Sequence, residues 1–222
     1  MSFRTRRSPP DFDTLRAAMV ARHLAARDVD DPRVLRAMGT VPRHEFTPPD
    51  LAHRAYEDAP LPMQADQTLS QPYIVARMTQ LAVGPGARRA LDVGGGSGYQ
   101  AAVLAELVDW VDSVERIREL ADTARERLAR LGYSNVHVHC ADGFLGWPAG
   151  APYDAIIVAC APPQVPPALV EQLAPGGRLV VPVGPEGAAQ ELVVIEKAAD
   201  GSTSRRTDAP VRFVPMLPGD PV

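Results

Sequence analysis

Apolar residues along the chain fall into two alternating kinds of segment. Short, nearly continuous apolar runs occupy 90–93, 110–114, 136–139, 153–159, 178–183, 190–196 and 211–216, and these read as strands, most of them buried. Between them, 74–81, 99–107, 117–131 and 168–173 read as helices, the third closed by Gly132 and the fourth stopped by Pro175-Gly176-Gly177. This alternation predicts an α/β fold: a doubly wound, Rossmann-like sheet of about seven strands, mostly parallel, with ligands at the carboxyl ends of its strands. Ahead of it, 11–26 carries Leu15, Ala18, Met19, Val20 and Leu24 at helical spacing. A second short helix is expected from Asp31-Pro32 to Gly39, with 41–50 extended or turn-like. The expected organisation is an N-terminal helical cover over 1–82 and a ligand-binding sheet domain over 83–222, together one compact unit.

The first strand of the sheet domain runs into Asp92-Val-Gly94-Gly-Gly96-Ser-Gly98 and then into a helix. Glycines let the backbone turn sharply there, and the expectation is a loop whose N–H groups, with the helix amino end, stay open to a nucleotide-like cofactor. The dinucleotide register G-x-G-x-x-G fails from Gly94, because Tyr99 stands where the third glycine belongs. From Gly96 only the relaxed form ending in Ala101 fits, and its turn starts late. On the glycines alone, a cofactor loop and an ordinary strand-to-helix turn are evenly matched. Glu115 ends the second strand near the offset of about 20 residues at which a carboxylate accepts ribose hydroxyls. Asp142-Gly143 follows the third strand.

Charge narrows the class of partner. The formal net charge of -4 gives no electrostatic reason to expect nucleic acid or an acidic membrane surface. The basic start, 1–7, is not followed by a signal-type apolar run, and no later run reaches membrane-spanning length. A soluble, cytoplasmic protein, monomeric and with no resident metal, is the expectation. Cys140 and Cys160 each close an apolar strand and read as buried thiols, not as a disulfide or zinc pair. His137 and His139 share one face of the third strand and find no further ligands, so packing or surface placement is the reading. His44 and His53 read as solvated or locally bonded.

Asp92-x-Gly94-x-Gly96-x-Gly98 resembles the first motif of S-adenosylmethionine-dependent methyltransferases, and Leu173-x-Pro-Gly-Gly-x-Leu-x-Val is common among them. The segment Gln67-Thr-Leu-Ser70-Gln-Pro-Tyr73-Ile-Val-Ala, with Val41-Pro-Arg-His, Ala55-Tyr-Glu-Asp and Gly96-Ser-Gly-Tyr-Gln-Ala-Ala-Val-Leu-Ala105, is more specific. It resembles the protein-L-isoaspartate O-methyltransferase family from about Asp11 to Pro218. The resemblance implies a Rossmann-like methyltransferase fold and S-adenosyl-L-methionine as cofactor, with S-adenosyl-L-homocysteine as its product. The implied substrate is an L-isoaspartyl residue in an aged protein or peptide, whose ester closes to a succinimide and opens partly to aspartate. The cofactor residues implied are Gln67, Thr68, Leu69, Ser70, Asp92, Gly94, Gly96, Gly98, Glu115, Asp142 and Gly143. Asp92 would lie near the sulfonium and amino-acid end, and Asp142 would accept from the adenine amine.

Esterifying a carboxylate needs no strong base, since the acceptor is already anionic at pH 7. Alignment and exclusion of water then supply the rate, on the order of 7–11 kcal/mol when geometry is good. Ser70 is the expected catalytic contact, donating to the acceptor carboxylate, with Thr68 and Gln71 as further substrate contacts; an N-cap of the next helix is the plain structural role open to Ser70. One departure stands out. Where the family commonly has Ile-Gly-x-Gly, this chain has Met63-Gln64-Ala65-Asp66, which is expected to remove left-handed backbone options and to set a negative charge near the acceptor. Three rivals therefore stand beside repair: esterification of aspartate in one dedicated peptide, a small-molecule methyltransferase, and a binding protein that keeps only the cofactor pocket.

Overall fold

A computed structural model describes residues 11–222; the basic segment 1–7 lies outside them. In chain order the elements are α1 (Phe12–Met19), α2 (Pro32–Thr40), β1 (Leu61–Pro62), β2 (Thr68–Leu69), α3 (Pro72–Ala82), β3 (Arg89–Val93), α4 (Tyr99–Ala105) and β4 (Trp110–Glu115). They continue as α5 (Arg118–Arg130), β5 (Val136–Cys140), β6 (Tyr153–Val158), α6 (Pro167–Glu171), β7 (Leu173–Val183), β8 (Gln190–Lys197) and β9 (Thr203–Val211). A π-helical segment, Val20–Ala25, extends α1.

The main sheet has seven strands in the order β5-β4-β3-β6-β7-β8-β9. The five strands β5 to β7 run parallel, and β8 and β9 are antiparallel additions at one edge. β3 lies between β4 and β6, so chain order reverses beside it, and this is where a doubly wound sheet opens a crevice.

Alternation along the strands fills two cores. Ala90, Val111, Ala155, Ile157 and Val180 pack with Met78, Leu81, Ala101 and Leu104 of α3 and α4. Leu91, Val93, Val114, Ile156, Val158 and Leu179 pack on the other face with Leu169 of α6, bordered by Phe144 and Trp147. A third cluster joins the front of the chain to the sheet domain: Met19, Leu24, Val34 and Met38 meet Tyr99, Ala102 and Val103 of α4 and Leu128 of α5.

Several boundaries differ from the sequence reading. α2 runs through Gly39 to Thr40 and stops before Pro42, because a glycine in right-handed backbone does not end a helix. β7 starts at Leu173, and its register on β6 shifts between Tyr153 and Ala155, so Pro175-Gly176-Gly177 loops out within a strand. The last strand is Thr203–Val211, not 211–216. It is a polar edge strand, so it lacks the apolar signature that marks its neighbours. Residues 213–217 instead cross the carboxyl ends of the parallel strands.

Two histidine–tryptophan stacks fill the face of the sheet beside Phe144: His137 on Trp110, with ring centres 3.8 Å apart, and His139 on Trp147, also at 3.8 Å. Between them Asp112, 2% exposed, accepts from Trp110 Nε1 at 3.0 Å, His139 Nε2 at 2.7 Å and the Tyr153 hydroxyl at 3.0 Å. Removing this one acceptor strands three donors in a nearly dry site. Asp112→Ala is expected to lower the unfolding free energy by about 3–5 kcal/mol, read from urea denaturation, with cofactor affinity retained in the folded fraction.

Candidate active site

The glycine loop leaves β3 and is tied at once to the end of β4. Gly94 and Gly95 both donate to the Val114 carbonyl, at 2.8 and 3.1 Å, and Gly96 N donates to Glu115 Oε2 at 2.9 Å. Glu115 Oε1 accepts from Ile117 N at 2.8 Å. Gly98 N bonds the Gly95 carbonyl, and Gly98 sits at φ 86 as the N-cap of α4. A side chain there would be strained by that angle and would press on Leu128 Cδ1, 3.1 Å from an added Cβ. The N–H groups of these glycines thus point into the protein, contrary to the expectation that they stay open to a ligand. What the loop offers a ligand is its surface and the Glu115 carboxylate, whose remaining lone pairs are still available.

A cleft opens above this loop. Its floor is Gly94, Gly95, Gly96, Ser97 and Glu115, one wall is Gln67, Thr68, Leu69 and Ser70, and Gly143 lies at the far end. Gly143 is a close approach: an added Cβ would fall 2.8 Å from Val93 Cγ1 and 2.9 Å from Met216 Cε. Asp142, just behind it, accepts from Phe144 N at 2.9 Å and Gly219 N at 3.0 Å and does not itself line the cleft. Gly98 also lies outside the lining.

Asp92 is the residue whose placement departs most from its expected role. It is fully buried beneath the loop, accepts from the Ser113 hydroxyl at 2.9 Å, and leaves Oδ1 without a partner among the described residues. Burial pushes its carboxyl up to about 7, against the Ser113 hydrogen bond and with help from the negative charge of Glu115. The folded protein therefore keeps a proton that the unfolded chain releases near 3.8. Stability from this group is full below that value and is lost as the pH rises through about 7. Asp92→Asn is expected to flatten the fall in stability between those two values, followed by chemical denaturation across the range.

A second cleft adjoins the first, and Thr68, Ser70, Ala159, Phe213 and Val214 line both. Gln71, Tyr73, Arg27, Arg77 and Arg212 line only the second. Arg77 holds Asp208 of β9 with two hydrogen bonds, at 2.6 and 3.0 Å, and Arg27 lies 3.3 Å over the Tyr73 ring. Ser70 therefore stands at the junction. Its hydroxyl makes no hydrogen bond among the described residues, and the N-cap of α3 is Gln71 without a side-chain cap bond, so Ser70 does not cap that helix.

The Met63–Asp66 loop contains a left-handed turn. Ala65 and Asp66 both adopt φ 55, so the left-handed turn forms without glycine, at a cost of roughly 1–2 kcal/mol for each residue. Asp66 is exposed and lines neither cleft, so its charge is not set against an acceptor.

Sequence reasoning missed Met63, Tyr99, Ile117, Cys160 and the 213–217 crossing as cleft walls. It also missed Arg43, fully buried behind Ser70. His44 is engaged in the cover, stacked 3.9 Å from Phe12 and bonded to the Tyr56 hydroxyl at 2.8 Å, and burial lowers its pKa. His53 is exposed. Cys140 and Cys160 are free thiols, and burial pushes that of Cys160 up. Among the described residues no group of three or more His, Cys, Asp and Glu is placed to hold a metal ion.

A sequence model of the protein-L-isoaspartate(D-aspartate) O-methyltransferases matches residues 15–220. The chain belongs to this family. It is 52% identical over 207 residues to a protein-L-isoaspartate O-methyltransferase 2 of Marinobacter nauticus, covering 93% of this chain and 94% of that one. It is 54% identical over 199 residues to a protein-L-isoaspartate O-methyltransferase of Rhodopseudomonas palustris, covering 90% and 91%. Among solved structures, a protein-L-isoaspartate O-methyltransferase superposes with a TM-score of 0.81 at 30% identity, over 93% of this chain and 67% of that one. A Plasmodium falciparum structure in complex with S-adenosyl-L-homocysteine shares the fold, with a TM-score of 0.77 at 24% identity over 94% and 99%. The family uses S-adenosyl-L-methionine, and the first cleft fits it: a carboxylate able to accept from ribose hydroxyls stands on its floor at the end of β4, and Gly143 at its far end packs too closely on Val93 and Met216 for any side chain.

Proposed function

We propose that the chain transfers a methyl group from S-adenosyl-L-methionine to the free carboxylate of L-isoaspartyl residues in proteins or peptides, opening the route through succinimide to repair. The observation that carries this reading is the junction of two clefts at Thr68 and Ser70, in a chain of this family. One cleft fits the cofactor, and the other is a separate, arginine-bordered space for an anionic acceptor.

Glu115 would hold the ribose, Gly143 would face the adenine with Asp142 holding the strand end behind it, and the 94–97 loop would support the amino-acid end. The cofactor supplies a methyl group made electrophilic by its sulfonium. Ser70 donates to the acceptor carboxylate and turns one oxygen toward the other cleft, with Thr68 beside it. Gln71 donates its amide to the Asp58 carbonyl at 3.0 Å, which leaves its own oxygen to accept from a peptide N–H. Phe213 and Val214, common to both clefts, exclude water at the junction. No proton has to be taken from the acceptor, which accords with a junction that presents no histidine.

Labelled S-adenosyl-L-methionine with paired peptides, isoaspartyl and aspartyl at one position, tests the reading. Ester is expected on the isoaspartyl peptide alone, with kcat/KM lowered about 10- to 100-fold in Ser70→Ala. Ester on the aspartyl peptide alone would transfer the reading to a dedicated-peptide methyltransferase, and ester on neither would sink the repair function.

We infer further that the enzyme acts as a monomer in the cytoplasm, where two free cysteines stay reduced, and not on nucleic acid, since its net charge is -4. No helix among the described residues is long and apolar enough to cross a membrane. Sedimentation is expected to give one species near 23.8 kDa; a concentration-dependent rise toward twice that mass would refute the monomer.

A further inference from the structure

Arg43 is an arginine with no access to water. It is 0% exposed, yet it has no ion-pair partner among the described residues. Its Nε donates to the Ala55 carbonyl at 2.7 Å and one terminal nitrogen donates to the Ser70 carbonyl at 2.8 Å. The guanidinium carbon lies 4.8 Å from the centre of the Tyr99 ring, which itself lines the cofactor cleft. The other terminal nitrogen is buried without a partner.

Burying an uncompensated cation is costly, and an apolar side chain of similar volume would fill the space without that cost. Two backbone carbonyls and an aromatic face reduce the penalty but do not neutralise the charge. The charge is also not spread at random through the core. It sits directly behind Ser70, which with Thr68 lines both clefts and whose hydroxyl is uncommitted. In such a poorly screened place a cation acts on whatever charge is bound at the junction.

We propose that Arg43 is a positioning residue of the acceptor site: its guanidinium fixes the Ser70 backbone, and its unneutralised charge selects an anionic acceptor. The inference rests on the carboxylate-methylating reading given above and names the element that makes the acceptor site prefer an anion. In the reaction an acceptor oxygen forms a bond to the methyl carbon, the sulfur–carbon bond breaks, and its electron pair goes to sulfur. A carboxylate and a sulfonium thereby become a neutral ester and a neutral thioether, with no proton moved. Attraction between Arg43 and the acceptor is strongest before transfer and fades as the ester forms. The charge therefore acts mainly through acceptor binding and KM, whereas the hold on Ser70 acts through kcat.

The test compares two peptides of one sequence, an isoaspartyl peptide as substrate and its isoasparaginyl counterpart, the neutral amide of the same shape, as competitive inhibitor. Wild-type enzyme is expected to bind the carboxylate at least about 10-fold more tightly than the amide, and Arg43→Gln to lose most of that ratio by weakening the carboxylate alone. S-adenosyl-L-methionine affinity should stay within about threefold of wild type, as expected when the cofactor cleft is intact. Should R43Q fail to fold, R43K keeps the charge without the planar fork; it is expected to retain the carboxylate preference and to lose kcat. Equal weakening of both peptides in R43Q, loss of the preference in folded R43K, or a wild-type enzyme that does not distinguish carboxylate from amide would each overturn the proposal. Absence of ester on the isoaspartyl peptide with wild-type enzyme is a different failure, that of the repair reading itself.

Discussion

The bonds from Gly94, Gly95 and Gly96 to the end of β4 are the constraint on which the site depends. β3 and β4 are parallel and in register up to Val93 opposite Val114, so β4 outlasts β3 by one residue, Glu115. The chain leaving β3 has lost its ladder partner while β4 still presents a carbonyl and then a carboxylate. Turning back to satisfy both requires left-handed backbone at Gly94 and Gly96, at φ 82 and φ 51. The same carboxylate reaches Ile117 N and so fixes the entry to α5. Glu115 is thus a structural acceptor first, and its place at the cleft floor follows from that.

The two halves of the site are built by different means. The cofactor half rests on strand ends, whose positions are set by the backbone ladder and by cores on both faces of the sheet. The acceptor half is assembled from segments far apart in the chain, 63–71 and 213–217, which join no main-sheet ladder at this point. Specific bonds hold them: Arg43 to the Ser70 carbonyl, Gln190 Oε1 from Phe213 N at 2.8 Å, and Ala161 paired with Val214 and Met216. A fold of this kind can change its acceptor by altering a few such bonds without disturbing the cofactor half. Asp66, a charged residue in a left-handed turn, is exposed and lines neither cleft.

What the sequence discloses follows this division. The buried parallel strands advertise themselves as apolar runs, and Glu115 is visible as the acid that closes the second of them near the expected offset from the glycine loop. Ser70 is visible only through its family resemblance, since a hydroxyl before a proline and a helix reads equally well as a cap. β9 is hidden because an edge strand keeps polar residues, and 211–216 reads as a strand because Phe213, Val214 and Met216 are apolar for another reason: they line clefts. The inward turn of the glycine N–H groups and the burial of Asp92 depend on the one-residue overhang of β4. Register between strands is a property of pairing, which no single segment encodes. Arg43 is hidden for a similar reason, because an arginine in a polar turn reads as a surface charge until the cover folds over it.

Two buried ionisable groups of opposite kind now stand under the two halves, Asp92 beneath the glycine loop and Arg43 behind Ser70. Neither has an ion-pair partner among the described residues. Arg43 sets a field at the junction although burial lowers its pKa, while Asp92, whose carboxyl burial pushes up to about 7, stays protonated and uncharged below that pH and adds to the field only as it ionises. The field runs from the acceptor wall toward the loop. A pair of bound reactants with a cation over the loop and an anion at Ser70 lies favourably in that field, while a neutral ester and thioether gain nothing from it. Methyl transfer between such partners removes the charges that the field holds. The same arrangement that gathers the reactants therefore loosens its grip on the products as they form.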